Sequence, residues 1–460
     1  MLKRFSLLRP ILAVLIIFIP LYPKFPLASV TGTYVAIRLD DIIVTISLLF
    51  WLIYQLRHKF PVLKESITKL FAAYLIAIVI SFINAYFINQ TEPVNILLLH
   101  LLRRFEYISL FFLTISTTKD YPHLKEFYTF LALATAGVIA YGFGQKYFSL
   151  PVISTMNSEF SKGQLLQMDN WTRISSTFAG HYDLAAFLSI VLVLIGGVIV
   201  TQKNIWLKIT NIILWLLSFQ ILTLTASRVS IFAFYGGMCL AIFLLRKYFW
   251  IVPVTIVFAF SLINSKDLNQ RLLATIPALK NQFFVSAPQA TPTPVAVATP
   301  TKGPIAVVSP VINKVTPKPT IIRTGPIEEQ IPIDADVGVA RSGEIRFNAE
   351  WPRAITALKK NILFGTGLGS ITLATDNDYL RLLGESGVVG FTTFMLIFLY
   401  FTVRTYQVRS RSSLLFFAAM ITFLINASLI DVFEASKTAY LFWIMMGFYY
   451  QILNQKKVSK

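Results

Sequence analysis

Long apolar runs separated by short basic clusters set the pattern of this chain. The runs lie near Leu7–Tyr22, Tyr34–Leu56, Ile67–Ile88, Asn95–Ser116, Glu126–Tyr147, Leu184–Thr201, Trp206–Thr225, Val229–Leu245, Phe249–Asn264, Val388–Tyr406, Leu414–Ile430 and Thr438–Leu453. Each approaches the roughly 20 apolar residues that a helix needs to cross a bilayer. The pattern predicts an all-α polytopic membrane protein with about 12 transmembrane helices. An N-terminal bundle spans 1–264, a long connection 265–387 separates the ninth and tenth helices, and the C-terminal helices fill 388–460. The basic start, Met1 to Pro10, resembles a signal peptide, but no small-residue cleavage site follows the first run, which therefore reads as a span.

The long connection is not uniform. Residues 287–320 include TPTPVAVATPTKGPIAVVSP, and proline at that density builds an extended spacer rather than a packed core. Residues 341–360 read as an amphipathic helix lying along the membrane surface, with Arg346, Glu350 and Arg353 on one face. The segment 341–387 then carries the chemistry back to the membrane.

Charge adds orientation. Alternate segment ends hold Lys3, Arg4 and Arg9; Arg57, Lys59 and Lys64; Lys119 and Lys125; Lys203 and Lys208; Arg246 and Lys247; Arg404, Arg409 and Arg411; and Lys456, Lys457 and Lys460. The positive-inside rule places all of these, and both termini, in the cytoplasm, and the long connection outside. Composition agrees: 55% of residues are hydrophobic and 14% charged, against about 25% charged in soluble domains. The net charge of +19 is dispersed among loops and forms no basic stripe, which argues against a nucleic-acid partner. The one cysteine, Cys239, excludes an internal disulfide and any cysteine-based metal site. No histidine pair has metal spacing either, so neither a metal nor another cofactor is expected.

Against that background the polar residues at the outer span ends stand out. In NILLLHLLRRFEYISLFFLTI, His100, Arg103, Arg104 and Tyr107 recur at helical spacing. An arginine at that depth faces a bundle interior or wet cavity; Arg103 either contacts substrate or pairs with Glu106 to lock the bundle. Arg228 ends LTLTASR at an outer mouth, where the positive-inside rule disfavours it. It either snorkels to lipid phosphate or supplies a planar fork of donors to a phosphorylated substrate, and the second reading is preferred. Gly365, Gly367 and Gly369 predict a tight turn rather than a dinucleotide fingerprint, for lack of a strand–helix context. Asp376 and Asp378 follow. Capping is the expected role of Asp378, whereas Asp376 is equally suited to capping and to general-base work. His181, beside Asp183, reads as structural, and His58 and His123 as solvated cytoplasmic residues.

Three separated blocks resemble the bacterial O-antigen ligase and polysaccharide polymerase superfamily. They are RISSTFAGHYDLAAFL from Arg173, LTLTASRVS around Arg228, and the stretch from Arg346 through Trp351 to FGTGLGS and DNDYLRLLGESGVVG. RLDD at Arg38–Asp41 and LFWIMMGF near the end also fit, so about two thirds of the chain is covered. The resemblance implies inverting, metal-independent glycosyl transfer on the outer face of the bacterial cytoplasmic membrane. The donor would be a glycan on undecaprenyl diphosphate, and the acceptor a glycan or lipid hydroxyl. It implies that Arg228 and Arg346 hold the diphosphate, with Arg173, Arg103 and Arg38 as further contacts, Asn377 and Tyr379 beside them, and Asp376 as the acceptor's base. Asp376-Asn377 stands where lipopolysaccharide ligases have His-Asn, so a polymerase is favoured over a ligase. A carboxylate of ordinary pKa, about 3.9, is also a weaker base than histidine. The alternative is a lipid-linked glycan flippase or another secondary transporter. Such a protein would show two related halves, and no internal repeat is evident.

Overall fold

The computed structural model describes residues 7–23, 25–29, 36–89, 92–118, 124–153, 165–166, 173–264, 346–371 and 374–455. The proline-rich stretch, the rest of 265–345, and the basic residues Lys3, Arg4, Lys119, Lys456, Lys457 and Lys460 lie outside the described residues.

The chain is helical. In order come α1 (Leu8–Leu21), α2 (Leu39–Arg57), α3 (Thr68–Asn84), α4 (Val94–Thr118), α5 (Leu124–Phe148), α6 (His181–Thr201), α7 (Ile205–Leu224), α8 (Arg228–Leu244) and α9 (Ile251–Asn264). Beyond the long connection follow α10 (Trp351–Lys360), α11 (Asp378–Val408), α12 (Arg411–Ala427) and α13 (Ser436–Asn454). Two short antiparallel strand pairs, Pro26–Ser29 with Ala36–Arg38 and Val152–Ile153 with Leu165–Leu166, are the described exceptions to the expected all-α fold. Each apolar run carries a helix among its described residues, the run from Tyr34 only from Leu39 onward. Among the described residues six helices, namely α2, α3 with its extension, α5, α6, α7 and α11, are long and apolar enough to cross a membrane.

Burial follows hydrophobic pattern. Helix α6 is apolar on every side and 89% of its most apolar window is buried, so it forms the centre. It packs against α7, α8 and α12. By contrast α2, α7 and α9 turn residues such as Phe50, Leu56, Trp206, Ile213, Ile256 and Phe260 outward. An apolar outer surface of this extent is compatible with a bilayer as the surrounding solvent.

Polar ties between helices fix their register at one end of the bundle. Ser230 of α8 donates to Asn426 of α12 at 2.7 Å, and Asn426 donates to Ser189 of α6 at 3.0 Å. In a close-packed apolar environment such hydrogen bonds act as specific glue. They bring the first residues of α6 and α8 and the last of α12 together. A second tie has a charged donor. Lys437, with no exposed surface, donates to the carbonyls of Pro20 (3.2 Å), Thr177 (2.8 Å) and Tyr22. A buried ammonium is tolerated only when its donors are satisfied. Here the three carbonyls clamp the start of α13 to the end of α1 and to the segment 173–180.

The predicted glycine turn exists, and it is knitted into α11. Thr366 and Gly367 donate to the carbonyls of Gly384 and Glu385 at 3.0 and 2.8 Å. Val388 and Val389 donate back to Ile362 and Leu363 at 2.9 and 3.1 Å. Gly387, at φ 66° and ψ −173°, breaks α11 at this seam. A Cβ there would sit 2.3 Å from the Leu363 carbonyl oxygen, so only glycine permits the approach. The helix therefore begins at Asp378, ahead of the apolar run, and the predicted start at Val388 is where its second, apolar part begins.

Candidate functional site

Three backbone turns present the polar residues. Each contains a non-glycine residue in the left-handed region: Ser176 (φ 50°), three residues after Arg173; Ala226 (φ 51°), two before Arg228; and Asp376 itself (φ 49°). Such residues are uncommon and cost free energy, and they persist where the surroundings dictate them. The surroundings are visible in two cases. Gln145 holds Ser176 from both sides, accepting from its N–H at 2.8 Å and donating to its carbonyl at 3.1 Å. Asp431, between α12 and α13, accepts from the N–H groups of Thr375 (2.8 Å) and Asn377 (3.1 Å), which flank Asp376.

The turns converge. Arg346 donates from Nε and Nη2 to Oδ2 of Asp376 at 3.0 and 2.8 Å, and from Nη2 to the Leu429 carbonyl at 3.5 Å. Arg228 lies close enough to Arg346, Arg173 and Tyr182 to interact electrostatically with all three. Arg173 contacts Nε2 of His181 at 2.6 Å. Arg173, Arg228, Arg346 and Asp376, from three distant parts of the sequence, thus share one site at the starts of α6, α8 and α11.

The structure redistributes the other expected residues. Asn377 is the N-cap of α11, its side-chain oxygen accepting from Tyr379 and Leu380 at 3.1 and 3.0 Å. Capping had been expected of Asp378, which is instead buried and accepts from the Phe433 N–H at 3.0 Å. The Tyr379 hydroxyl donates to the Leu424 carbonyl at 2.7 Å. Asn377 and Tyr379 therefore do structural work, because the helix start must be capped and a half-buried hydroxyl must find an acceptor. Arg38 and Arg103 belong to a separate cluster with Asp41, whose carboxylate interacts with both. Arg103 also faces Tyr107, Tyr440 and Glu106.

Its neighbour Arg104 has a different acidic partner. It forms a buried ion pair with Glu434. Arg381 lies 3.3 Å from both Glu385 and Asp431, and it donates to the Ile371 carbonyl at 2.9 Å. Arg104, Glu434, Arg381, Glu385 and Asp378 line a small cavity of about 10 Å³, room for about one water molecule.

Glu350 was not singled out for chemistry and belongs to the site. Arg346–Glu350 forms a single π-turn ahead of α10, the amphipathic helix expected over 341–360, whose residues 341–345 lie outside the described residues. Such wide turns recur at functional positions. Glu350 Oε2 is buried and has no hydrogen-bond partner among the described residues. Burial, then the charge of Asp376, push its carboxyl up to about 7. Burial also raises Asp376, though the adjoining Arg346 works against it and limits the rise. For Arg346 itself, burial acts downward, but Asp376 and Tyr182 outweigh it and the guanidinium ends above its ordinary value. His181, read from the sequence as structural, and Tyr182 beside it also adjoin the site, against Arg173 and Arg228 respectively.

Chemically, the site offers three guanidinium groups, one tied carboxylate and one carboxyl poised near neutrality. Arginine forks suit phosphate oxygens. No protein-family model matches the chain, and no curated protein matches it.

Proposed function

We propose that this protein is a polytopic membrane glycosyltransferase of the O-antigen ligase/polymerase type, acting on the outer face of a bacterial cytoplasmic membrane with both termini inside. The donor is a glycan on undecaprenyl diphosphate, the acceptor a glycan or lipid hydroxyl, and polymerisation is favoured over ligation. The observation that carries the reading is the convergence of Arg173, Arg228 and Arg346 with Asp376 at one mouth of the helical bundle.

The donor has an apolar tail, a diphosphate at the interface and a polar glycan beyond it. About 12 spans supply the apolar surroundings for the tail. Arg228 and Arg346 hold the diphosphate. The acceptor oxygen attacks the anomeric carbon from the face opposite the diphosphate. The carbon–oxygen bond to the diphosphate breaks, and the bonding pair leaves on that oxygen. Stabilising this departing charge is the largest demand on the site, and preorganised cations meet it. The acceptor's proton goes to a carboxylate. Glu350 fits that task better than Asp376, because a base works best with a pKa near the working pH and Asp376 is occupied with orienting Arg346.

The test uses purified protein, a lipid-linked oligosaccharide and candidate acceptors. Chain extension supports a polymerase, single transfer a ligase. Movement of the lipid across vesicles without any new glycosidic bond would replace this reading by the flippase one.

A further inference from the structure

A groove at the opposite end of the bundle from the arginine-rich site has a volume of about 670 Å³. It lies between the C-terminal ends of α8 and α11 and the start of α12. Its walls include Phe243, Tyr406 and Phe417, and its rim carries Arg246, Arg409 and Arg411. No carboxylate is among its described lining residues. Three cations around one apolar groove, with no acidic partner among the described residues, call for an anion with a hydrophobic body.

The helices account for part of this charge. Arg246 and Arg409 follow the last turns of α8 and α11, where a cation suits the negative end of the helix dipole. Arg411 opens α12, where its own helix disfavours it. The positive-inside rule explains why basic residues gather on this side, but not why three converge on one groove. Arg409 is also oriented: its Nε donates to the Tyr406 carbonyl at 3.0 Å, and its guanidinium stacks on the Tyr406 ring at 4.1 Å. That contact aligns a charged plane with the groove's aromatic wall.

We infer that this groove binds an anionic phospholipid of the cytoplasmic leaflet, its phosphodiester on Arg246, Arg409 and Arg411 and an acyl chain along Phe243, Tyr406 and Phe417. Basic pockets between membrane helices on this side favour such headgroups. The inference rests on the membrane orientation given above but not on glycosyl transfer, and its test involves no transfer assay.

The full-length protein, purified in detergent, is titrated with phosphatidylglycerol and with phosphatidylcholine, and bound lipid is counted by native mass spectrometry. Phosphatidylglycerol is expected to bind about tenfold or more tightly than phosphatidylcholine. The double variant Arg246→Gln/Arg411→Gln is expected to lose that preference. The matched variant Arg57→Gln/Lys64→Gln, at another basic end on the same side, is expected to keep it. Equal loss in both variants would mean that diffuse charge binds the lipid, and would overturn the site. So would equal binding of the two lipids, or displacement of phosphatidylglycerol by millimolar inorganic phosphate. Should a double variant fail to fold, the single change Arg411→Gln carries the same comparison.

Discussion

Two clusters of charge sit close together in this bundle and are built on opposite plans. The network around Arg104 and Arg381 is rich in carboxylates: Glu385, Asp431, Glu434 and Asp378 surround two guanidinium groups about a cavity the size of one water molecule. The cluster around Arg346 is rich in cations, with Arg173 and Arg228 close by and one carboxylate bound directly. The first is largely buried. The second lies at the ends of helices. A buried network of matched charges holds elements in one arrangement, and its removal is felt as lost folding. A cation-rich mouth attracts an anion, and its removal is felt as lost binding or rate.

The comparison can be broken at several points, taken here from the largest expected effect downward. Replacing Arg104 by Leu strands Glu434 and is expected to destabilise the protein by about 3–5 kcal/mol. Thermal unfolding in detergent, or the yield of folded protein in membranes, measures it; a normal melting profile would show that the network does not hold the fold. Arg346→Ala is expected to lower glycan transfer by about 10²–10³-fold with unchanged abundance in the membrane, and Arg228→Ala to act in the same direction. A normal polymer length profile in both would remove the diphosphate role. Glu350→Gln is expected to slow transfer by about 10²-fold. In the parent protein the rate is expected to rise as pH passes through about 7, because the ionised carboxylate accepts the proton and burial holds its pKa there. In the glutamine variant that inflection disappears; a retained inflection would assign the base to another group. Asn377→Ala removes a helix cap and is expected to cost about 1 kcal/mol of stability. It is also expected to leave the affinity for donor unchanged, which a substrate contact would not.

Much of this was legible in the sequence. Each apolar run carries a helix because length and hydropathy are local properties. Arg228 stood out because an arginine at the outer edge of an apolar run demands a reason, and Asp376 because it precedes a helix start; Arg173 and Arg346 were marked by the family resemblance. What escaped was pairing over long separations. Arg103 and Arg104 recur at helical spacing with His100, yet Arg104 finds its partner Glu434 more than 300 residues later. For Asn377 and Tyr379 the intramolecular partners escaped: the side-chain oxygen of the first caps α11, and the hydroxyl of the second donates to the Leu424 carbonyl. Glu350 was placed on a surface helix, and a π-turn with a buried carboxyl has no local sequence signature. The break at Gly387 was half visible: the apolar run begins beside it, while the helical turns before it are too polar to read as part of a span.

The short link between α12 and α13 takes on wider meaning from its contacts. Leu429 receives Arg346, Asp431 ties down the turn that bears Asp376, Phe433 reaches Asp378, and Glu434 closes on Arg104. Four tasks are packed into one stretch with no slack between them. For protein engineering this makes it a poor place for an epitope, a fluorophore or a circular-permutation joint, even though it is a loop. For divergence within a lineage it predicts a length held constant while longer connections drift.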